Sequence, residues 1–158
     1  MIDKKLNNKG LTLFELLITI VILLLISAMM VTGITLAVNS HSQTMTANNS
    51  DVLLSTTVSA LRNTLAEATE VSASGKTLNY RNAYTNASAS ISAGSNGIEL
   101  TESGTTKKLL PEAAATRGLY TTYDSVSATD TIITFVNLRV VKDDKTYASI
   151  EEFNIRYN

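Results

Sequence analysis

The sequence predicts an α+β protein. One long N-terminal helix spans a membrane in its first half and packs by its second half on a small antiparallel β-sheet head. Three observations predict this: a charge-free apolar stretch near the N-terminus, a helix-spaced apolar stripe after it, and alternating apolar and polar residues near the C-terminus.

The first observation is the strongest. From Leu16 to Ser50 there are 35 consecutive residues without Asp, Glu, Lys or Arg. The apolar part, Leu16 to Val38, has 23 residues and reads LLITIVILLLISAMMVTGITLAV. As a helix it covers about 35 Å, enough to cross the hydrocarbon core of a bilayer. A buried core helix is a poor fit, because the run is apolar all round and too long. A secretory signal has a shorter apolar region, about 7–15 residues, followed by a small-residue cleavage site. Only Ser27-Ala28 offers such a site. The first ten residues carry Lys4, Lys5 and Lys9 against Asp3, and the next charge after the run is Asp51. The positive-inside bias puts the N-terminus in the cytoplasm and the head outside.

Beyond Val38 the chain becomes polar but has neither Pro nor Gly until Gly75. Leu54, Val58, Leu61, Leu65, Ala68 and Val71 then recur at the spacing of one helix face. Arg62, Asn63 and Glu67, with Thr56, fall on the other side. This predicts a helix to Val71, stopped at Ser74-Gly75. Its stripe is short for a coiled coil and is better covered by the chain's own head.

The head is predicted over residues 74–158. Residues 81–97, rich in Asn, Ser, Ala and Gly, are expected as a surface loop. Ile98 and Leu100 alternate with Glu99 and Thr101 as a short strand, and Leu109-Leu110 ends at the only proline, Pro111. Thr131 to Val141 is expected as a strand with Ile132, Val136, Leu138 and Val140 on one face and Asn137 and Arg139 on the other. A turn at residues 142–145 leads to a second strand over 146–158, with Phe153, Ile155 and Tyr157 on one face. A sheet of three or four strands follows.

Composition narrows the function. The 158 residues carry 13 Lys+Arg and 14 Asp+Glu, a net charge of -1, so no polybasic surface for nucleic acid is expected. The absence of Cys excludes disulfides, thiolate metal sites, thiol catalysis and a lipidated-cysteine anchor. One histidine, His41, leaves little acid–base chemistry near neutral pH and is expected as a solvated helix residue. Ser59 and Thr64 have no histidine nearby in sequence. Gly75-Lys76-Thr77 resembles the end of a phosphate loop, but Glu70 stands where the first Gly belongs, and a helix precedes it instead of a strand. Asp143-Asp144 lacks the spaced ligands of a calcium loop. Asn86-Ala87-Ser88 matches a glycosylation sequon. No metal, no cofactor and no enzymatic activity are assigned.

Glu15 is the anomaly. It lies inside the apolar block among Leu13, Phe14, Leu16 and Leu17, where an unpaired carboxylate costs about 2–3 kcal/mol or more. A helix-end carboxylate held at the headgroups, beside Lys9, is one explanation. The segment Lys9-Gly10-Leu11-Thr12-Leu13-Phe14-Glu15-Leu16-Leu17 offers another, because it closely resembles the prepilin motif of type IV pilins and type II secretion pseudopilins. In that family a short basic leader ends in Gly and is cut on the cytoplasmic side. The new N-terminal residue is N-methylated, and a Glu stands at the fifth mature position before an apolar helix. The resemblance covers about the first 40 residues.

It implies a leader over 1–10 cut between Gly10 and Leu11, a membrane and filament-core helix over 11–38, an amphipathic half over 39–73, and the head over 74–158. It implies processing by a prepilin peptidase and methyltransferase. It also implies assembly with other pilin or pseudopilin subunits on an inner-membrane platform driven by a separate ATPase. The chain would be a single-pass membrane protein before assembly and part of a cell-surface filament afterwards. Glu15 would pair with the α-amine of a neighbouring subunit and set axial register. Two departures stand out: Leu11 replaces the usual Phe or Met, and Thr32 stands where many major pilins carry Pro, leaving Gly33 as the nearest helix-weakening residue. The missing proline, the lack of a helix-melting device and the polar, loop-rich head lean towards a minor pilin or pseudopilin. Two other classes remain at this stage: a signal-anchored single-pass protein with an extracellular ligand-binding head, and a membrane-held extracellular enzyme.

Overall fold

A computed structural model describes residues 8–110 and 118–157. Its contacts divide the chain into two units, Met1–Thr44 and Met45–Asn158. Helix α1, Asn8–Leu65, has 58 residues and belongs to both. It has no proline and is uninterrupted at Gly33, where a side chain would meet no non-local atom within 4 Å. The predicted α+β class holds: one long helix is followed by antiparallel strands.

The helix ends earlier than its spacing predicts. It stops at Leu65, and Ala66 N–H donates to Arg62 O at 2.9 Å. Ala68–Ser74 is strand β1, so the amphipathic half does not extend to residue 73 and the head sheet begins before residue 74. The helix spacing and a strand both place Ala68 on the apolar side, so spacing alone could not separate them. The β-branched Thr69 and Val71 favour the strand, and Glu70, at φ 50°, ends the helical path and marks the irregularity in the β1–β2 register between Thr69 and Ser72. The expected stop at Ser74-Gly75 is instead a hairpin. Ser74 faces Thr77, and Gly75, at φ 60°, takes the first central position, as a type II′ turn requires.

Nine strands occur among the described residues, not three or four. Strands β1 (Ala68–Ser74), β2 (Thr77–Asn82), β3 (Ser88–Gly94), β4 (Gly97–Glu102) and β5 (Thr105–Lys108) form an antiparallel meander in sequence order. The residues expected as a loop over 81–97 therefore contain β3, with Ala89 and Ile91 buried between serines. The small side chains hide a period-two pattern that is nonetheless present. In the second sheet, β6 (Tyr120–Thr122) and β7 (Ser125–Ala128) share one side of β8 (Ile132–Lys142), and β9 (Lys145–Arg156) takes the other. Ile98 and Leu100 are buried in β4 as expected. Leu109 N–H donates to Ile98 O at 2.8 Å; Pro111 lies outside the described residues.

The β8–β9 hairpin is as predicted, and its turn is well defined. Asp143 and Asp144, at φ 49° and 59°, give the positive pair of a type I′ turn. The predicted face of β8 is half wrong. Ile133 and Phe135 are buried, whereas Ile132 and Val136 are exposed at 38% and 40%. Beyond Asn137 the parity flips, so Leu138 and Val140 are buried as expected. Asn137 has φ 54°, and this break lets both halves of the strand face the core. Its Nδ2 donates to Asp124 Oδ2 at 2.6 Å, and Arg139 Nη1 donates to Asp124 Oδ1 at 2.7 Å. These two hydrogen bonds, Asn137 first, hold the Asp124 carboxyl below its ordinary range.

In the second unit, α1 contributes Ser50, Leu54, Thr57, Leu61 and Leu65 to the buried interior. The stripe thus follows the prediction through Leu65. Each fully buried leucine is worth about 1.5–3 kcal/mol of removed apolar surface. Ser50 and Thr57 donate to Thr46 O and Leu53 O, each at 2.7 Å, so neither hydroxyl is buried without a partner. Arg62 lies over the Phe153 ring at 5.4 Å. Tyr123 is fully buried. Its hydroxyl donates to Lys76 O at 2.8 Å, with Ile91 O at 3.4 Å, and its ring meets Phe135 edge-on at 5.1 Å. The residue lies between β6 and β7 and reaches the first sheet, so it links the two sheets.

Candidate membrane and assembly helix

The first unit is helical from Asn8 to Thr44, and every side chain from Thr12 to Met45 is exposed. Eighteen large hydrophobic side chains lie exposed between Leu13 and Val38, from Ile18 at 42% to Met29 at 73%. Soluble monomers rarely expose contiguous apolar patches beyond a few hundred Å². This surface needs a non-aqueous cover on all sides. It is the one helix among the described residues long and apolar enough to cross a membrane.

The polar atoms of this segment are arranged for such a cover. Thr19 donates to Glu15 O at 2.7 Å and Ser27 to Leu23 O at 2.7 Å. Thr32 donates to Ala28 O and Thr35 to Val31 O, each at 2.9 Å. Each hydroxyl finds its acceptor one turn back in its own helix, so it makes no demand on lipid. Sequence reasoning missed this, although the four hydroxyl residues in an apolar helix were the available signal.

Glu15 is exposed and lies on the second turn past Gly10. Among the described residues its carboxylate has no partner. Gly10 and Leu11 lie near the start of α1, where the first N–H groups of any helix lack intrahelical acceptors. Of the expected leader, 1–10, residues 1–7 lie outside the described residues.

The other sequence features gather no chemistry. His41 is exposed. Ser59 donates to Ser55 O at 3.0 Å. Gly75-Lys76-Thr77 is the β1–β2 turn, not a phosphate loop before a helix. No cluster of three His, Asp or Glu able to hold a metal occurs among the described residues.

The family described as "Prokaryotic N-terminal methylation motif" matches residues 5–31. The chain carries the signature of a type IV prepilin or pseudopilin. The matched residues run from the basic leader through Glu15 and most of the apolar helix, the stretch whose exposed apolar surface calls for cover. The prepilin signature marks a structural subunit of the pilin type. It implies handling by a prepilin peptidase, membrane anchoring through the apolar helix and association with other pilin subunits. No curated protein and no solved structure matches the chain significantly.

Proposed function

We propose that the chain is cut between Gly10 and Leu11, methylated on the Leu11 nitrogen, and built into a type IV pilus or a type II secretion-like pseudopilus through its apolar helix. One observation carries this reading: the prepilin signature coincides with a helix whose surface is apolar on every side. Lipid and the apolar helices of neighbouring subunits are both acceptable covers, so transfer between them costs little hydrophobic free energy. Glu15 is the costly group in both. Cleavage creates the α-amine of Leu11, and the Glu15 carboxylate pairs with that amine on a neighbouring subunit. Removing the leader is a precondition, because Lys4, Lys5 and Lys9 could not enter an apolar core. The helix has no proline and runs unbroken through Thr32 and Gly33, which favours a minor pilin or pseudopilin over a major pilin. N-terminal peptide and intact-mass analysis of protein from the native cell tests the reading. It predicts a mature chain beginning at methylated Leu11. A chain beginning at Met1, or near Ser27-Ala28, refutes it.

A further inference from the structure

We propose that the end of the first sheet around Arg81 and Tyr84 is a binding site for a neutral saccharide. The site lies wholly within the second unit and does not depend on how the apolar helix is covered.

An open trough of about 270 Å³ lies on the outer face of this sheet, lined by the polar side chains of Glu70, Asn79, Arg81, Ser88, Ser90 and Thr101. The pairing register sets Asn79, Ser90 and Thr101 side by side across β2, β3 and β4, and Arg81 beside Ser88. Leu78, Tyr80, Ala89 and Ile91 alternate with them and fill the buried face. Arg81 Nε donates to Glu70 Oε2 at 3.1 Å, across the irregularity in β1. That pair cancels the formal charge of the trough. The side chains of Asn79, Ser88 and Ser90 make no hydrogen bond among the described residues.

Residues 83–87 join β2 to β3 and border the trough between Arg81 and Ser88. Their backbone is tied down. Ala83 N–H donates to Glu67 O at 2.9 Å, and Asn86 N–H donates to Asn82 O at 2.9 Å. Tyr84 and Thr85 N–H donate to Asn82 Oδ1 at 2.9 and 3.1 Å. Arg81 Nη1 donates to Asn86 Oδ1 at 3.2 Å, which links the trough to the loop. On this loop stands Tyr84, 80% exposed, the most exposed large hydrophobic side chain among the described residues. A bare ring on a loop that is ordered before binding loses little entropy when it docks.

A sugar ring has a face of C–H bonds and a rim of hydroxyls that donate and accept. The Tyr84 ring suits the face, because it offers an apolar surface while its own hydroxyl stays wet. The trough suits the rim: the carboxylate accepts, the guanidinium donates and the amide does both. A charged ligand finds no unmatched partner, since Glu70 and Arg81 neutralise each other. An apolar ligand would strand the Asn79 amide and the serine hydroxyls. The volume lies at the small end of ligand sites, about 300 Å³. It admits a small unit such as a terminal sugar and leaves the rest of a glycan in water.

The test is saturation-transfer NMR of the full chain in lipid nanodiscs, with a panel of neutral methyl glycosides and their di- and trisaccharides. At least one is expected to bind, with a Kd of about 0.1–1 mM. Tyr84→Ala and Asn79→Ala should each weaken binding at least about tenfold, and Tyr84→Phe by less than about twofold, because the ring face is kept. Tyr147→Ala, which removes an exposed ring from the second sheet, should leave binding unchanged. A readout without variants guards against misfolding: in the unaltered chain the bound glycoside should shift the Asn79 side-chain amide and Tyr84 ring signals. No glycoside bound above empty nanodiscs overturns the site, as does binding that leaves those two signals unmoved. Sugar binding that survives Tyr84→Ala, with that variant lost from sheared filaments, assigns Tyr84 to a subunit contact and also overturns it.

Discussion

Replacing Tyr123 with Phe removes one oxygen and tests whether the two sheets are tied as described. The hydroxyl donates to Lys76 O at 2.8 Å from a fully buried ring. Deleting it loses a net hydrogen bond worth about 0.5–1.5 kcal/mol and strands a carbonyl at a penalty of about 1–3 kcal/mol, reduced where water reaches it. The expected loss is about 1–2 kcal/mol. Tyr123→Leu also loses the edge-on contact with Phe135, a further 0.5–1.5 kcal/mol or so, and leaves unfilled volume. The assay is urea unfolding of residues 39–158, which are expected to be soluble and to unfold cooperatively once the apolar run is removed. A pH arm sharpens it. Burial pushes the Tyr123 phenol well above its ordinary 10.0, and burial with the nearby Glu102 pushes Tyr80 to about 12. Above pH 10 the unfolded chain loses these protons while the folded chain keeps them, so stability falls as pH rises. The slope is up to about 1.4 kcal/mol per pH unit for each tyrosine. The gap between the unaltered fragment and Tyr123→Phe should therefore narrow above pH 10. A Phe variant as stable as the parent at pH 7, or a gap that stays constant to pH 11, refutes the reasoning.

Other outcomes follow from the same structure. Glu15→Ala should insert into membranes and be cleaved normally, but its share in sheared filaments should drop sharply; Glu15→Gln should match it, and normal incorporation of either would sink the salt-link mechanism. Asn137→Val places a β-branched residue at φ 54° and removes a hydrogen bond to Asp124, so it should cost about 2 kcal/mol in urea unfolding, and Asn137→Gly clearly less. Leu61→Ala, at a fully buried helix position, should destabilise the 39–158 fragment by about 2–5 kcal/mol in the same titration. Asp143→Asn with Asp144→Gly gives the turn a preferred type I′ pair and should raise the thermal midpoint by a few degrees, about 0.5–1 kcal/mol.

The first unit was legible in the sequence because its signals are large and redundant. Absence of charge, length and the residues around Gly10 and Glu15 all point one way. The outer half of the helix was legible up to Leu65, where helix and strand spacing coincide at Ala68 and the sequence stops discriminating. The C-terminal hairpin was legible from Phe153 and Ile155. The face of β8 was not, because strict alternation assumes a regular strand and Asn137 interrupts it. Of the first sheet only β4 was legible, from Ile98 and Leu100. Strand β3 was missed for a different reason: it alternates Ala and Ile with Ser, so the contrast is small and resembles a polar loop. In the apolar helix, Gly10, Leu11 and Glu15 are singled out by the motif alone. The hydroxyl bonds of Thr19, Ser27, Thr32 and Thr35 follow only from helix geometry.

Those four hydroxyls have a consequence for movement. A helix whose polar groups are all spent on its own backbone presents neighbours with a surface on which no hydrogen bond must be broken for sliding or rotation. Side-chain interdigitation remains as the friction, and among long aliphatic chains that friction is spread thinly over many shallow minima. Positional information along such a rod is nearly erased, the opposite of a membrane helix that uses Ser or Thr to lock onto a partner. In the filament proposed above, a single charge would act like a tooth on an otherwise smooth shaft: one carboxylate at Glu15 would supply a stop that the remaining surface does not.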